Sequence, residues 1–158
     1  MSNVVPFGRK NLGGTDSEAG PQRRFEVQLF IKHPSIDPAE ITVAVGLEPK
    51  IQSRVGDARR TSKGAPLLGV YPDTSWRYCE RHHVEKQWFA SRVDELVDRL
   101  LPHKAFLHGL RESGGRTWII VEFLGDGYFG DEIPLGTLAK LVELGLDFGI
   151  EVFDVPQN

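Results

Sequence analysis

The stretch His33-Pro34-Ser35-Ile36-Asp37-Pro38-Ala39-Glu40-Ile41-Thr42, which follows the alternating run from Phe25 to Ile31, constrains this chain more than any other segment. It spells a complete helix start. Asp37 fits the N-cap, Pro38 takes the first helical position, and Glu40 lies where it can reach back to the cap. Ile36 and Ile41 have the spacing of a hydrophobic staple just outside and inside that cap. Upstream, Phe25, Val27, Leu29 and Ile31 alternate with Glu26, Gln28, Phe30 and Lys32, the pattern of a strand with one buried face. Pro34 holds His33 extended, so a helix is expected from Pro38 to Val45. Gly46 suits the left-handed position that ends it, Leu47 folds back onto Ile41, and Pro49 prevents a restart. So much local punctuation specifies a strand-to-helix corner, which is architecture and not chemistry.

A chain of 158 residues suffices for one domain with a real core. A net charge of −3 argues against general affinity for nucleic acid, whose binders carry a basic face. The single cysteine, Cys79, has no partner for an internal disulfide, which suits a reducing cytoplasm. No window approaches the ~18 apolar residues of a membrane span, and no apolar run follows Arg9 and Lys10. The expectation is a cytoplasmic protein without membrane contact. Residues 1–22, rich in Gly, Ser and charge, read as a flexible tail, and 23–158 as a single α+β domain.

The later elements are less heavily marked. Residues 50–74 form a long irregular segment, punctuated by Gly56, Gly64, Gly69, Pro66 and Pro72, with a short strand expected around Leu67 to Tyr71. Trp76 to His82 reads as a strand. Trp88, Phe89, Val93, Leu96, Val97, Leu100 and Leu101 then recur at three- and four-residue steps, an amphipathic helix ended by Pro102. Phe106 to Leu110 is expected as a short strand. Thr117 to Leu124 is expected as a central strand buried on both faces. A helix from Leu135, a stop at Gly145 and a final strand from Asp147 to Val155 complete the chain. Strand–helix–Gly-Leu thus occurs twice, ending at Gly46-Leu47 and at Gly145-Leu146. The expected fold is a ferredoxin-like β-α-β-β-α-β sandwich with an extra N-terminal strand and short helix.

The arrangement F-x-V-x-L-x-I-x-H-P-S-I-D-P-A-E-I-T, then Gly46-Leu47-x-Pro49 and a basic Gly-containing loop leading to Thr74-Ser75-Trp76, resembles a bacterial family named domain of unknown function 4279. The resemblance spans roughly residues 25–155 and is most specific in the strand-to-helix corner. It implies a small bacterial protein with no catalytic motif to carry over. Immunity proteins that neutralise toxins are a fold-level analogy.

Candidate chemistry is sparse. Gly125-Asp126-Gly127-Tyr128-Phe129-Gly130 matches G-x-G-x-x-G, but Asp131 to Pro134 separate it from the next helix and acidic groups crowd the phosphate position. A turn is the better account, and no cofactor is expected. Cys79, His82, His83 and Glu85 lack the second ligand cluster of a zinc site, so no metal is expected. Cys79 beside a histidine carries no signature of a nucleophile, and no carboxylate pair stands out, so the non-enzymatic reading leads and an enzyme of unrecognised mechanism stays open as an alternative.

What remains is a binding hypothesis. Arg54, Arg59, Arg60 and Lys63 form a basic loop suited to phosphate or an acidic protein surface, with Trp76 as an aromatic platform and His33 on the same cleft. The acidic C-terminal third (Asp126, Asp131, Glu132, Glu143, Asp147, Glu151, Asp154) is expected as an opposing patch for a basic partner. The leading expectation is a non-enzymatic interaction domain for a protein partner, immunity-protein-like. The alternative is a module binding an anionic small molecule or nucleotide around Arg59, Arg60 and Trp76.

Overall fold

Alternation along Arg24–His33 (β1) sends Phe25, Val27, Leu29 and Ile31 to one side, where they are essentially inaccessible to solvent. The computed structural model describes residues 24–83, 88–124 and 130–153. It pairs β1 with two long strands, Thr74–His83 (β5) and Arg116–Leu124 (β6), both antiparallel to it. Ile51–Ser53 (β2) pairs antiparallel with β5, and Asp147–Phe153 (β7) runs parallel to β6. The result is an α+β fold on a mixed five-stranded sheet of order β2-β5-β1-β6-β7. The N-terminal strand is therefore not an addition to the sheet, as expected from the sequence, but its middle. Pairing on both sides encloses even the polar face of β1, where Glu26 and Gln28 are buried as fully as the apolar residues opposite. The peripheral unit lies at the other end of the chain, in Leu135–Leu144 (α4) and β7.

The corner that follows β1 is built as its sequence requires. Pro38–Val45 (α1) begins where Asp37 Oδ1 accepts from the Ala39 N–H at 2.9 Å. Glu40 joins through its backbone N–H, which donates to Asp37 O at 3.0 Å. Gly46 closes the helix at φ 66°, a conformation that costs a residue with a Cβ. Phe89–Leu100 (α2) buries Phe89, Val93, Leu96, Val97 and Leu100 of the stripe read from its spacing, whereas Trp88, expected in it, stands at the N-cap and is exposed. Asp131, expected in an acidic patch, instead caps α2: its Oδ2 accepts from the Ala90 N–H at 3.1 Å.

Pro102 ends α2 in a 3-10 turn at Leu101–His103, but the chain continues as a helix, Lys104–Glu112 (α3), where a short strand was expected. The physical reason is that Leu107 and Leu110, three residues apart, both enter the core; a strand would have sent them to opposite faces. α1 to α4 cover one side of the sheet with a single apolar core, joined by Trp76 from β5 and by Ile119, Val121 and Phe123 from β6. β6 lies between β1 and β7 and is apolar on both faces except at Glu122: on the side away from the helices Ile120 is buried, and Trp118 and Glu122 stand half-buried.

Residues 50–74 are more regular than their composition suggested. Ala58–Arg60 (β3) and Pro66–Val70 (β4) pair as a separate two-stranded hairpin between β2 and β5, and nearly every residue of it is exposed. Its base is pinned to the body. Gly56 N–H donates to Tyr71 O at 2.9 Å, Tyr71 N–H donates to Asp57 O at 3.0 Å, and Val55 N–H donates to the buried Thr74 Oγ1 at 3.1 Å. Thr74 Oγ1 in turn donates to Ile36 O at 2.7 Å, tying arm and corner together.

Candidate functional site

The arm gathers most of the residues singled out in the basic segment. Arg59 lies exposed on β3, and Lys63 sits exposed in the turn that leads to β4. Arg60 curls back so that its guanidinium donates to Gly64 O at 3.3 Å, and the Tyr71 hydroxyl bonds the Arg60 backbone at 3.3 Å. Arg54 stands at the arm's base, where it pairs with the N-cap Asp37 at 3.0 Å. The sequence reading missed what accompanies these cations. Leu68 is 95 % exposed, Val70 57 % and Leu67 44 %, so the arm carries exposed apolar side chains on the same hairpin as its cations. Their clustering with the short-strand signal was legible; their exposure was not. Between the arm and β2 lies a concavity of about 710 Å³ lined by Ile51, Ser53, Asp57, Arg60, Ser62 and Tyr71.

Two residues expected at this cleft are elsewhere. Trp76 is fully buried under α1, its Nε1–H donating to Thr42 Oγ1 at 3.0 Å, and offers no face to a ligand. Alternation explains it, because Thr74 and Trp76 share the face of β5 that meets the core. His33 is also buried. Its Nδ1 accepts from the Ser35 and Ile36 N–H groups at 3.1 and 2.9 Å. Nε2 then bears the proton and donates to Ser113 Oγ at 2.9 Å, which fastens the corner to the end of α3.

The helix-free face of the sheet holds a second group that was read as solvent-facing. Glu26 is only 2 % exposed. It accepts from Arg81 Nε at 2.7 Å, Cys79 Sγ at 2.9 Å and Gln28 Nε2 at 3.1 Å, with Lys50 Nζ at 3.4 Å. Burial alone would push this carboxyl up. The hydrogen bonds from Cys79 and Arg81 and the charges of Lys50 and Arg81 outweigh burial and hold it at about 2. Conversely, burial together with the Glu26 carboxylate pushes the Cys79 thiol up to about 11. A thiol so held is almost wholly protonated at neutral pH and is a poor nucleophile.

Beside this network, Arg77, Phe30, Trp118 and Arg116 form a ladder across the strands. Phe30 and Trp118 stack at 5.3 Å and 10°, and the two guanidiniums cap the rings at 5.0 and 4.9 Å. Each ring has its faces taken by its neighbours, so the ladder presents edges to solvent and is unsuited to stacking nucleobases.

The remaining candidates are scattered or satisfied. Glu143 pairs with Lys104 at 3.0 Å and Asp147 with Arg116 at 3.2 Å, so the acidic C-terminal third does not act as one uncompensated patch. Cys79 and His82 lie on opposite faces of β5, His82 packing on Phe25 at 5.2 Å. Among the described residues no cluster of three His, Cys, Asp or Glu side chains is arranged to hold a metal ion. No helix among the described residues is long and apolar enough to cross a membrane. Glu85, Asp126, Asp154 and residues 125–129 of the glycine motif lie outside the described residues.

Neither the curated proteins nor the solved structures contain a match to this chain. The family model for a domain of unknown function (DUF4279) matches residues 23–154, from the start of β1 to the end of β7, and the chain belongs to that family.

Proposed function

We propose that this chain is a non-enzymatic interaction domain that grips an acidic protein surface with its β3–β4 arm. The observation that carries the reading is the exposure of Leu67, Leu68 and Val70 on a projecting hairpin beside Arg59, Arg60 and Lys63. Exposed apolar side chains beside arginines suit a protein interface, where the apolar part supplies affinity and the charged part supplies orientation. The four-strand core β2-β5-β1-β6, with β1 antiparallel to both of its neighbours, supports a ferredoxin-like framework that holds the arm rigidly at its base. An immunity-protein-like role follows this pattern: a small domain neutralises its partner by occupying a surface. A reducing cytoplasm suits the free Cys79.

The test is a pull-down with the full chain at physiological salt, beside Leu68→Asp and an Arg59→Glu/Arg60→Glu/Lys63→Glu variant. The expected result is an acidic protein retained by the unaltered chain and reduced at least about tenfold by either change, equivalent to ~1.4 kcal/mol. Retention of nothing, or of a partner indifferent to both variants, overturns the reading.

The concavity supports a second reading, an anionic small-molecule site of ligand size. Among the described residues Arg60 is the one cation lining it, its guanidinium is already engaged by Gly64 O, and Asp57 shares the wall. The charge balance there is weak for a phosphate. Thermal shift against nucleotides and sugar phosphates tests it, since a ligand of the folded state raises Tm by mass action.

A further inference from the structure

The outer edge of β7 has no neighbour among the described residues, and the strand carries no proline, lysine or bulge to protect it. On its helical side Ile150 and Val152 are 54 % and 64 % exposed, so α4 lies inboard and does not roof them. α4 adds Leu135, Leu138 and Val142, which are 83 %, 39 % and 79 % exposed. Helical spacing puts these three on the flank opposite Lys140, which reaches Asp94 and Asp98 of α2, so they face the β7 edge. We infer that this flank receives a second copy of this chain, the two β7 strands pairing antiparallel about a twofold axis at Ile150.

The strand is self-complementary in that register and in neither adjacent one. Centring on Ile150 sets Phe148 opposite Val152, Gly149 opposite Glu151 and Asp147 opposite Phe153. Moving the centre one residue toward the N-terminus places Asp147 opposite Glu151. Moving it one residue the other way places Glu151 against itself. Like charges directly opposite destabilise a pair, so both neighbouring registers are penalised. In the favoured register Asp147 remains neutralised by Arg116 and Arg111 of its own chain, at 3.2 and 3.7 Å.

The helix agrees with the strand on where the axis falls. An antiparallel pair of α4 helices that matches Leu135 with Val142 is centred beside Leu138. From Leu144 back to that point is about 8 Å of helix. From Asp147 forward to Ile150 is about 10 Å of strand. The two centres are therefore level, and one axis serves both layers. The five apolar side chains expose on the order of 500 Å² per copy, so pairing removes about 1,000 Å² before the strand backbone is counted, the size at which specific interfaces begin.

The experiment is sedimentation of the full chain across a wide concentration range, compared with Ile150→Lys and with the arm variant Leu68→Asp. A reversible dimer is expected, with its dissociation constant raised at least about tenfold by Ile150→Lys and unchanged by Leu68→Asp. Because a charged edge can also disturb folding, Ile150→Cys in a Cys79→Ser background supplies a second measure. Cβ atoms about 5 Å apart across the axis put the new thiols within reach of a short bis-maleimide, whose addition to both yields a covalent dimer. The same change at Val43, exposed on α1, yields none. A monomer at every concentration, a dimer that survives Ile150→Lys, or a dimer abolished by Leu68→Asp overturns the inference. Loss of partner capture with the dimer intact would instead bear on the arm alone.

Discussion

Glu26→Gln tests the buried network and carries a worked magnitude. The side chain keeps its volume and loses its charge, leaving Arg81 and Lys50 without their counter-ion. In the folded chain the carboxyl sits at about 2 against an ordinary 4.5. A depressed folded pKa means that the unfolded chain takes up protons first as pH falls. The stabilisation is therefore complete above the unfolded pKa near 4.5 and disappears as pH falls toward the folded value of about 2. At about 1.4 kcal/mol per pH unit, the gap corresponds to roughly 3 kcal/mol at neutral pH. Urea unfolding at pH 7 is expected to show the variant less stable by about that amount. The two stability curves then converge as pH is lowered through the same window.

A second readout comes from the thiol. At pH 8 a Cys79 pKa of about 11 leaves on the order of 0.1 % thiolate. Removing the Glu26 charge is expected to raise the rate of thiol labelling roughly tenfold, while burial continues to hold the pKa above its usual value. A difference in stability that stays constant from pH 7 to pH 2.5, or one below about 1 kcal/mol at neutral pH, would refute the network as described.

Three further outcomes follow from particular contacts. Asp37→Ala, which removes the α1 cap and frees Arg54 at the base of the arm, is expected to cost about 1 kcal/mol in chemical denaturation and to leave the far end of the arm able to bind. Gly115→Ala would place a Cβ 2.6 Å from Leu110 O and 3.0 Å from Lys32 O, both backbone atoms that cannot swing aside; the cost is expected to reach ~3 kcal/mol, read as a lower Tm. Trp76→Phe removes a fully buried indole and its hydrogen bond to Thr42 Oγ1, which keeps only its bond to Pro38 O at 3.2 Å, for about 2 kcal/mol lost. It is expected not to alter binding at the arm, and a folded Trp76→Phe protein with impaired partner capture would return that residue to the site.

The division between what was readable and what was not follows the range of the interactions. The corner at His33–Thr42 and the apolar stripe of α2 were legible because caps, proline positions and helical spacing act within a few residues. The grouping of Arg59, Arg60 and Lys63 was legible for the same reason, since they lie on one short hairpin.

The rest depends on partners distant in the chain. Alternation assigned Glu26 to solvent, yet it is enclosed by Cys79 and Lys50, 53 and 24 residues away. Periodicity can rank the two faces of a strand but cannot say whether the polar one is open. Trp76 looked like a platform until strand pairing placed it under α1, and Phe106 to Leu110 looked like a strand until the core drew in Leu107 and Leu110 together. The sequence by itself determined the strand-to-helix corner, the glycine stops at Gly46 and Gly145 and the apolar side of α2. Only the tertiary structure decided that β1 is the centre of the sheet, that the arm stands clear of it, and that β7 is left with an open edge. Those outcomes are set by which strands meet, and strand pairing is a contest among segments far apart in sequence that no local pattern records.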